Sequence, residues 1–410
     1  TNKNSDTILT PTPMSNSKII RSESFDGDDF SFIHSLYVFY KKVAIFLKVY
    51  YRKYMVRVAI NGYGRIGRVA HRIIIERFPS DIQVVAINAG SSTDIDGWMY
   101  LLKYDSAYGA LTADITSRKQ ESPDSDTIGV LSIDGTDIPV YSQKDPTKLP
   151  WKDLNVDIVI ESTGAFTKQE DLQKHIEAGA KSVILSAPFK DEEGGGPTYV
   201  LGVNLQKDST DIENIVSNAS CTTNCITPVA HIMHQAFGIE KAMMTTIHGY
   251  TSDQRIQDGG HKDYRRARAA AENIIPTSTG ATKAAASAIP DLKGIFNGLA
   301  IRVPVPVGSL SDFTFLVKKE TTVEEVNSVL EKAAQEEKFK GIFTATHDPI
   351  VSSDIIGNPH SSIADLSLTQ VVGGTMVKVI AWYDNEFGYA NRLVEETLLI
   401  GKLHATASNQ

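Results

Sequence analysis

A glycine-rich turn directly after a short apolar strand constrains the fold of this 410-residue chain more than any other feature. The apolar run 56–60 leads into Asn61-Gly62-Tyr63-Gly64-Arg65-Ile66-Gly67, and apolar residues then recur at helical spacing up to Ile74. A second apolar strand is predicted over 83–88. The G-x-G-x-x-G pattern therefore stands where dinucleotide-binding folds carry it, between a strand and a helix.

Each glycine of this turn has its own predicted role. Gly62 permits the tight turn, Gly64 lets a pyrophosphate approach the backbone, and Gly67 lets the helix pack closely on the strand. A structural turn without a ligand is the alternative. The strand–turn–helix context favours dinucleotide binding over that alternative.

The residues after the second strand bear on which dinucleotide binds. A carboxylate usually follows there and holds the ribose 2′-hydroxyl, but the chain reads Asn88-Ala89-Gly90-Ser91-Ser92. With Ala89 in that turn no carboxylate repels a 2′-phosphate, and the two serines can donate hydrogen bonds to one. The sequence therefore favours NADP, at least alongside NAD. In the alternative, Asp94 or Asp96 supplies the carboxylate after a local shift.

The order of strands and helices predicts an α/β fold. Apolar strands at 158–160, 183–185 and 215–216, with helical segments such as 168–178 between some of them, indicate a Rossmann-type, doubly wound parallel sheet. Longer strands with alternating polarity follow residue 225, which favours an α+β domain with a mostly antiparallel sheet. These later strands are predicted over 242–248, 299–307, 312–318 and 376–383.

Three regions are expected along the chain. Residues 56–220 form an NAD(P)-binding Rossmann domain, completed by a C-terminal helix over 386–403, and residues 221–385 form a catalytic domain. Residues 1–54 begin with a polar, acidic segment and are expected to be a disordered leader.

The aromatic stretch 32–54 is interrupted by Lys41, Lys42 and Lys48. No charge-free run in it therefore approaches the length of a membrane span, although a membrane-surface helix stays open. We expect the leader to be dispensable and the working protein to begin at Met55.

Charge and cysteine content narrow the function. The formal net charge of −8 argues against a dedicated nucleic-acid partner. Cys221 and Cys225 are the only cysteines and lie four residues apart, so they make neither a disulfide scaffold nor a four-ligand zinc site. We expect no metal site and a reducing, cytoplasmic location.

The most reactive stretch of the chain is expected to be 217–225, which joins an apolar strand to a helix. Ser220 or Asn218 can cap that helix, which places Cys221 in its first turn, where the macrodipole favours a thiolate. The hydroxyls of Ser220 and Thr222 at the same positive end suit an anion. An inert, buried cysteine is the alternative.

His248 ends an apolar strand and is the natural base for Cys221. A cysteine hydrolase uses the same pair but has no need of a dinucleotide. The combination therefore favours aldehyde oxidation, in which the thiolate adds to the aldehyde, hydride leaves to the cofactor and an acyl acceptor releases the thioester.

Cations and hydroxyls elsewhere in the chain suggest two anion sites. Arg302 lies inside an apolar strand, where an unpaired charge is costly. The basic cluster 265–268 and the segment 277–280 supply further cations and hydroxyls. One site for a substrate phosphate and one for inorganic phosphate would account for these residues.

Four segments, together with the features above, resemble the phosphorylating glyceraldehyde-3-phosphate dehydrogenase family. They are Ala59–Arg68, Leu101–Ser106, Ser217–Cys225 and Trp382–Glu386. The resemblance runs from about Val56 to the last helix, near residue 402. The cysteine segment is highly specific to that family, whereas the glycine pattern occurs in many folds.

The resemblance implies a nucleophile at Cys221, a base at His248, and the substrates glyceraldehyde 3-phosphate and inorganic phosphate. Arg268 is assigned from the basic cluster because it stands five residues before Asn273-Ile274-Ile275-Pro276, as the family's arginine does. The implied substrate-phosphate residues are Thr251 and Arg302, and those for inorganic phosphate are Ser220, Thr222, Thr279, Gly280 and Arg268. The implied cofactor contacts, beyond Gly62, Gly64, Gly67 and Ala89, are Arg65, Ile66, Ser186 and Asn385.

The resemblance also implies a homotetramer, with the segment of about 250–280 lying between subunits. Ala89 stands where NAD-preferring members carry Asp, and the loop 258–261 lacks their common proline, so strict NAD specificity is not expected.

Erythrose-4-phosphate dehydrogenase is the nearest alternative function, disfavoured because Thr251 and the segment 278–280 are retained. A non-catalytic NAD(P)-binding or RNA-binding relative is disfavoured because such a protein has no use for a cysteine–histidine pair.

Overall fold

The computed structural model describes residues 55–120, 126–191 and 195–407. The expected leader, residues 1–54, lies outside the described residues. The strands, in chain order, are β1 (Val56–Asn61), β2 (Ile82–Asn88), β3 (Tyr104–Asp105), β4 (Gly109–Ala110), β5 (Ile115–Lys119), β6 (Thr127–Ile133), β7 (Thr136–Tyr141), β8 (Ile158–Glu161), β9 (Ser182–Leu185), β10 (Ile215–Ser217), β11 (Ile239–Gly249), β12 (Ile275–Ser278), β13 (Phe296–Val303), β14 (Ser309–Val317), β15 (Phe343–Thr346), β16 (Ser362–Val372) and β17 (Met376–Tyr383). The α-helices are α1 (Arg65–Arg77), α2 (Ile95–Lys103), α3 (Gln169–Glu177), α4 (Cys221–Phe237), α5 (Ala281–Ala288), α6 (Val323–Ala334) and α7 (Phe387–Ala407).

The first sheet is doubly wound, in the order β10-β9-β8-β1-β2-β7-β6-β5. Its strands from β10 to β7 pair in parallel, whereas β7, β6 and β5 form an antiparallel meander at one edge. Alternate residues of β1 enter opposite cores: Val58 and Ile60 pack with α1 and α7, and Ala59 packs with α3. Helices therefore cover both faces, as a buried parallel sheet requires.

Strand order reverses between β1 and β8, and the glycine turn lies at this point. Chain order runs outward from β1 through β2 on one side and from β8 through β9 and β10 on the other. Ligands of open α/β sheets bind at such a switch point, beyond the carboxyl ends of the strands. The fold therefore directs attention to the residues that follow β1, β2, β8 and β9.

The second sheet has the order β12-β13-β11-β14-β17-β16-β15 and is mostly antiparallel. Phe313 and Phe315 alternate with more exposed residues along β14 and pack, with the neighbouring strands, against α4 and α6. One face of the sheet thus forms a core with these helices. The N-terminus of α4 follows β10 of the first sheet, while the helix itself packs on the second sheet.

The last helix, α7, returns to the first sheet. Leu393 and Val394 are fully buried in the same core as β1 and α1. Tyr389, in its first turn, reaches the loop before α4 and donates a hydrogen bond to the carbonyl of Ala219 (3.2 Å). The end of the chain therefore supports both the first sheet and the segment that leads to Cys221.

The predicted α/β class, with one parallel-rich and one mostly antiparallel sheet, is confirmed. The antiparallel meander β5–β7 was not predicted. The strand expected over 299–307 instead spans 296–303, because Pro304 and Pro306 lack the N–H that a ladder needs. No helix in the described part of the chain is long and apolar enough to span a membrane.

Candidate active site

Cys221 is the first residue of α4, held there by a capped and strained turn. Ser220 is the N-cap, and its hydroxyl accepts a hydrogen bond from the backbone N–H of Thr223 (3.1 Å). Ala219 has a φ of +55°, in the left-handed region that residues with a Cβ seldom adopt. The side chain of Asn224 donates to the carbonyl of Asn218 (2.8 Å), which fixes the start of the turn.

The thiol of Cys221 faces the imidazole of His248. The distance from Cys221 Sγ to His248 Nε2 is 3.4 Å. The histidine stands near the end of β11 and is buried, with its ring edge-on to that of Tyr383 at 5.9 Å between centroids. The two residues predicted as nucleophile and base are thus within reach of direct proton transfer.

The other ring nitrogen of His248 bears on its tautomer. Nδ1 lies 2.6 Å from the carbonyl of Gly249, which can only accept a hydrogen bond. In the tautomer that makes this hydrogen bond, Nδ1 carries the proton and Nε2 is an acceptor toward the thiol. Arg302 Nη1 donates to the same carbonyl (3.0 Å) and lies 2.8 Å from Nδ1.

Burial and charge act in opposite directions on the Cys221 thiol. Burial raises its pKa, against the lowering effects of the Arg302 charge and of hydrogen bonds from Thr222. Burial, together with Arg302, lowers the pKa of His248 to about 3. Burial therefore opposes the thiolate that the helix terminus favours, and it opposes a protonated imidazole as well.

Arg302 is a half-buried cation without a carboxylate partner among the described residues. It lies on β13 in register with His248 on the adjacent β11. Its Nε is buried and has no hydrogen-bond partner in the described part of the chain. Burial accordingly lowers its pKa. An uncompensated guanidinium beside the reactive pair is suited to an anion, because an anion would remove the cost of the buried charge.

The hydroxyl of Thr222 points into the second sheet. Thr222 Oγ1 lies 3.0 Å from the hydroxyl of Tyr383, which is 2.8 Å from Thr246 Oγ1. Thr222 Oγ1 is also 4.0 Å from Cys221 Sγ. The side chain predicted to bind phosphate therefore already has a protein partner, although it borders the sulfur.

Thr279 and Gly280 lie at the N-terminus of α5, which packs against α4. Thr279 Oγ1 accepts a hydrogen bond from the N–H of Ala281 (3.2 Å). Thr251 is half-buried just beyond β11 and lines a cavity of about 670 Å³ with Tyr250 and neighbouring loop residues. The lining of this cavity does not include Cys221, His248 or Arg302.

Arg266 and Arg268 of the basic cluster differ in their surroundings. Arg268 is exposed, with its side chain 62% accessible, and pairs with Asp258 (2.8 Å). Arg266 is 20% accessible and also pairs with a carboxylate, that of Asp253 (2.7 Å). Its charge is close enough to lower the pKa of both His248 and Arg302.

Contacts with β12 hold Arg266 in that place. Its guanidinium donates to Thr277 Oγ1 (3.0 Å) and to the carbonyl of Ser278 (3.1 Å). It therefore lies directly beside the segment that leads to Thr279 and Gly280. The spacing from Asn273 that favours Arg268 does not include this arrangement, because the loop between β11 and β12 has no regular structure from which to infer direction.

Comparison with known proteins decides the family. Residues 56–169 match the family profile "Glyceraldehyde 3-phosphate dehydrogenase, NAD binding domain", and residues 220–385 match "Glyceraldehyde 3-phosphate dehydrogenase, C-terminal domain". The chain belongs to the glyceraldehyde-3-phosphate dehydrogenase family. It is thus an oxidoreductase with a nicotinamide-dinucleotide domain, as the sequence predicted.

Its similarity to individual relatives is high over nearly their full length. Glyceraldehyde-3-phosphate dehydrogenase 2 of Streptomyces avermitilis is 51% identical over 346 residues, which cover 84% of this chain and 98% of the relative. The enzyme of Geobacillus stearothermophilus is 50% identical over 340 residues, or 83% and 96% of the two chains. Glyceraldehyde-3-phosphate dehydrogenase 1 of Bacillus subtilis is 49% identical over 347 residues, or 85% and 98%.

The glycine turn of this family member fits a dinucleotide pyrophosphate. Gly62 has a φ of +95°, and a Cβ there would lie 2.5 Å from the backbone nitrogen of Thr163 at the end of β8. A Cβ at Gly67 would lie 2.2 Å from the carbonyl of Gly62. A Cβ at Gly64 would meet nothing within 4 Å, so the space above this glycine is open.

The helix that follows the turn adds to this fit. Gly64 is the N-cap of α1 and offers no side-chain cap, and the first turn contains no acidic residue. The N–H groups of Arg65 and Ile66 are therefore available to an anion at the positive end of the helix. The side chain of Arg65 is not available to an anion, because it pairs with Asp105 and Glu386.

The remaining predicted cofactor residues lie at the ends of strands. Ala89 follows β2, and Ser186 follows β9 with its N–H bonded to the carbonyl of Glu161 (2.9 Å). Asn385 follows β17 and is 4% exposed. Its Oδ1 accepts hydrogen bonds from the N–H of Gly308 (3.1 Å) and the hydroxyl of Ser309 (2.9 Å).

Three residues that were not assigned to the site from the sequence lie beside predicted site residues: Arg266, Tyr383 and Ser309. Arg266 could have been found by weighing each arginine of the cluster against the positions of Thr277 and Ser278. Tyr383 and Ser309 carry no local signal, because each acts through partners more than 50 residues away.

Proposed function

We propose that this chain catalyses the reversible oxidative phosphorylation of D-glyceraldehyde 3-phosphate to 1,3-bisphosphoglycerate, with NAD or NADP and inorganic phosphate. The observation that carries the proposal is the position of the His248 imidazole between a thiol and a guanidinium. Cys221 Sγ lies 3.4 Å from Nε2, and the guanidinium of Arg302, which has no carboxylate partner in the described part of the chain, lies 2.8 Å from Nδ1. This arrangement supplies a nucleophile, a base and an anion site in one place.

The chain's own groups perform the covalent steps. His248 Nε2 takes the thiol proton of Cys221 as the sulfur adds to the aldehyde carbon, and it then gives that proton to the former carbonyl oxygen, which completes a thiohemiacetal and restores the neutral imidazole. Loss of hydride from that carbon leaves a thioester on Cys221, and the same imidazole removes the hydroxyl proton of the thiohemiacetal. An oxygen of inorganic phosphate then adds to the thioester carbon, the carbon–sulfur bond breaks, and the acyl phosphate leaves.

A nicotinamide dinucleotide supplies the hydride acceptor when bound at the switch point of the first sheet. The open space at Gly64 and the N-terminus of α1 would hold its pyrophosphate. Ser186 and Asn385 would lie toward its nicotinamide end.

The proposal includes NADP alongside NAD, because both acidic residues considered for the ribose have other contacts. Asp94 caps α2 by accepting from the N–H of Gly97 (2.9 Å), and Asp96 pairs with Lys119 (2.9 Å). These contacts support a turn after β2 that has no carboxylate for the ribose. The hydroxyl of Ser92 accepts from Trp98 Nε1 (2.9 Å), which leaves its own proton free to donate to a 2′-phosphate.

Two phosphate sites follow from the cations. Arg302, with Thr251 at the end of the same strand pair, would hold the phosphate of the aldehyde substrate. Arg266, with Thr279 and Gly280 at the N-terminus of α5 and Ser220 and Thr222 at that of α4, would hold the attacking phosphate. Arg266 replaces Arg268 in this assignment because its charge reaches His248.

The proposal includes the chain's organisation. Residues 56–220, with the C-terminal helix, form the cofactor domain, and residues 221–385 form the catalytic domain. A homotetramer is supported by large apolar side chains that the loop 250–280 exposes in the single chain. Ile256 and Tyr264 are each 86% exposed, and Ile274 is 71% exposed.

Initial rates with two aldehydes, two cofactors and with or without inorganic phosphate test the function. We expect rapid turnover of glyceraldehyde 3-phosphate that depends on phosphate. Equal rates without phosphate, or a preference for erythrose 4-phosphate, would contradict the proposal. Cys221→Ser should lose nearly all turnover while its cofactor affinity is kept, and retained turnover in that variant would exclude the thioester route.

A further inference from the structure

Ser309 is the first residue of β14, which lies between β11 and β17 in the second sheet. It is 2% exposed. Its hydroxyl accepts a hydrogen bond from the N–H of Gly249 (3.1 Å) at the end of β11. The same hydroxyl donates to Oδ1 of Asn385 (2.9 Å), just beyond β17. One buried side chain thus joins the ends of two strands that carry predicted site residues.

These contacts fix which way the Asn385 amide points. Its Oδ1 faces two donors, the Ser309 hydroxyl and the N–H of Gly308 (3.1 Å). The hydroxyl proton of Ser309 must point to Asn385, because Gly249 offers only a donor. A rotated amide would turn its NH₂ group toward both donors, so Oδ1 stays inward and Nδ2 remains the group that can donate to a ligand.

The backbone around Gly308 holds its donor in place. Gly308 has a φ of +98°, and a Cβ there would lie 2.6 Å from the carbonyl of Ser352. The chain can therefore make this approach only with glycine. If the Ser309 hydroxyl is removed, Oδ1 of Asn385 keeps a single donor, the N–H of Gly308.

On its other side, Ser309 is linked to the catalytic base. The N–H of Gly249 donates to Ser309, and the carbonyl of Gly249 accepts from His248 Nδ1 (2.6 Å) and from Arg302 (3.0 Å). A short chain of hydrogen bonds therefore runs from the imidazole through one glycine and one serine to the amide of Asn385.

We propose that Ser309 is a positioning residue. It holds the Asn385 amide with its NH₂ group toward the nicotinamide carboxamide, and it links that amide to the strand end that carries His248. The proposal rests on the function proposed above, in which Asn385 meets the nicotinamide end of the cofactor. A carboxamide presents both a donor and an acceptor, so an asparagine free to rotate would accept the ring in either of two orientations. Ser309 removes that freedom.

The test compares two ligands that differ only at the nicotinamide end. Binding of NAD and of ADP-ribose is measured by titration calorimetry on the wild-type chain and on Ser309→Ala, Asn385→Ala and the double variant. Loss of one hydrogen bond typically changes affinity several-fold. We expect Ser309→Ala to raise the Kd for NAD by about fivefold to tenfold and to leave the Kd for ADP-ribose unchanged.

Ser311→Ala is the matched control. Ser311 is a fully buried serine two residues further along β14, and its hydroxyl contacts Cys225 rather than Asn385. Its loss should change neither affinity. In the double variant, removal of Ser309 should add nothing to the loss already caused by Asn385→Ala, because the serine acts through the asparagine.

The outcomes separate the two proposals. If Asn385→Ala binds NAD as tightly as the wild type, the role of Asn385 in the proposed function is wrong. If Asn385→Ala weakens NAD and Ser309→Ala does not, or if Ser309→Ala weakens ADP-ribose equally, the positioning role of Ser309 is overturned. Should Ser309→Ala not fold, Ser309→Cys keeps the volume with only a weak donor, and the same selective loss of NAD affinity is expected.

Discussion

His248 and Arg302 lie opposite each other on adjacent parallel strands, with 2.8 Å between His248 Nδ1 and Arg302 Nη1. The guanidinium is therefore on the side of the imidazole away from Cys221. Its charge lowers the pKa of His248 and also lowers that of Cys221. One residue thus disfavours a protonated base and favours an ionised nucleophile.

Arg302→Gln should raise the pKa of the Cys221 thiol, because a charge that stabilises the thiolate is lost. The thiolate would then form only at higher pH, and the rate of alkylation by iodoacetamide should rise at higher pH than in the wild type. Arg268→Gln, at an exposed arginine, should leave the profile in place. A shift of the Arg302→Gln profile to lower pH would show that relief of His248 outweighs the direct effect on the sulfur.

Arg266 and Arg268 form a natural pair of test variants. Arg266→Gln should raise the KM for inorganic phosphate by roughly tenfold or more, the usual effect of losing a charged hydrogen bond, with a smaller change in the KM for the aldehyde. Arg268→Gln should change neither KM by more than about twofold. Steady-state kinetics with phosphate varied at saturating aldehyde measures both. The reverse pattern would restore the assignment made from the sequence.

Ala89→Asp should move cofactor preference from NADP toward NAD. A carboxylate after β2 can accept from the ribose 2′-hydroxyl of NAD and repels a 2′-phosphate. Coulomb repulsion at a few ångströms in water predicts a loss of roughly tenfold in NADP affinity. The ratio of kcat/KM for the two cofactors measures the change, and an unaltered ratio would mean that the turn at Ala89 does not contact this part of the dinucleotide.

Removal of residues 1–54 should leave specific activity unchanged. The family match begins at residue 56, and the residues assigned to the site all lie beyond it. Initial rates per mole of protein, with and without the first 54 residues, measure this. A clear loss of kcat in the shortened protein would show that the leader takes part in the enzyme's function.

Local patterns were sufficient to predict the glycine turn and the cysteine-bearing helix. The strand β1, the turn at Gly62 and the helix α1 follow one another within about twenty residues, so spacing and composition contain the required information. The same holds for Ser220 as the cap of α4, which the structure confirms. The meander β5–β7 was missed because Gly129 and Pro139 interrupt its alternation, as is common in strands at a sheet edge.

Relationships between distant segments could not be predicted in the same way. The contact of Ser309 with Asn385 spans 76 residues and depends on the register of β14 between its two neighbours. The choice of Arg266 over Arg268 depends on the path of an irregular loop. The effect of burial on the pKa values of Cys221 and His248 is likewise absent from a helix-terminus argument.

The return of α7 to the first sheet has a consequence for biosynthesis. Leu393 and Val394 complete the core around β1, and Tyr389 braces the turn before Cys221. Because the chain leaves the ribosome from its N-terminal end, this core stays open until α7 has been made. Apolar residues of the nascent cofactor domain therefore remain exposed until α7 packs on them. A ribosome that stops before residue 387 releases a chain with this surface exposed, which chaperones or proteases must handle.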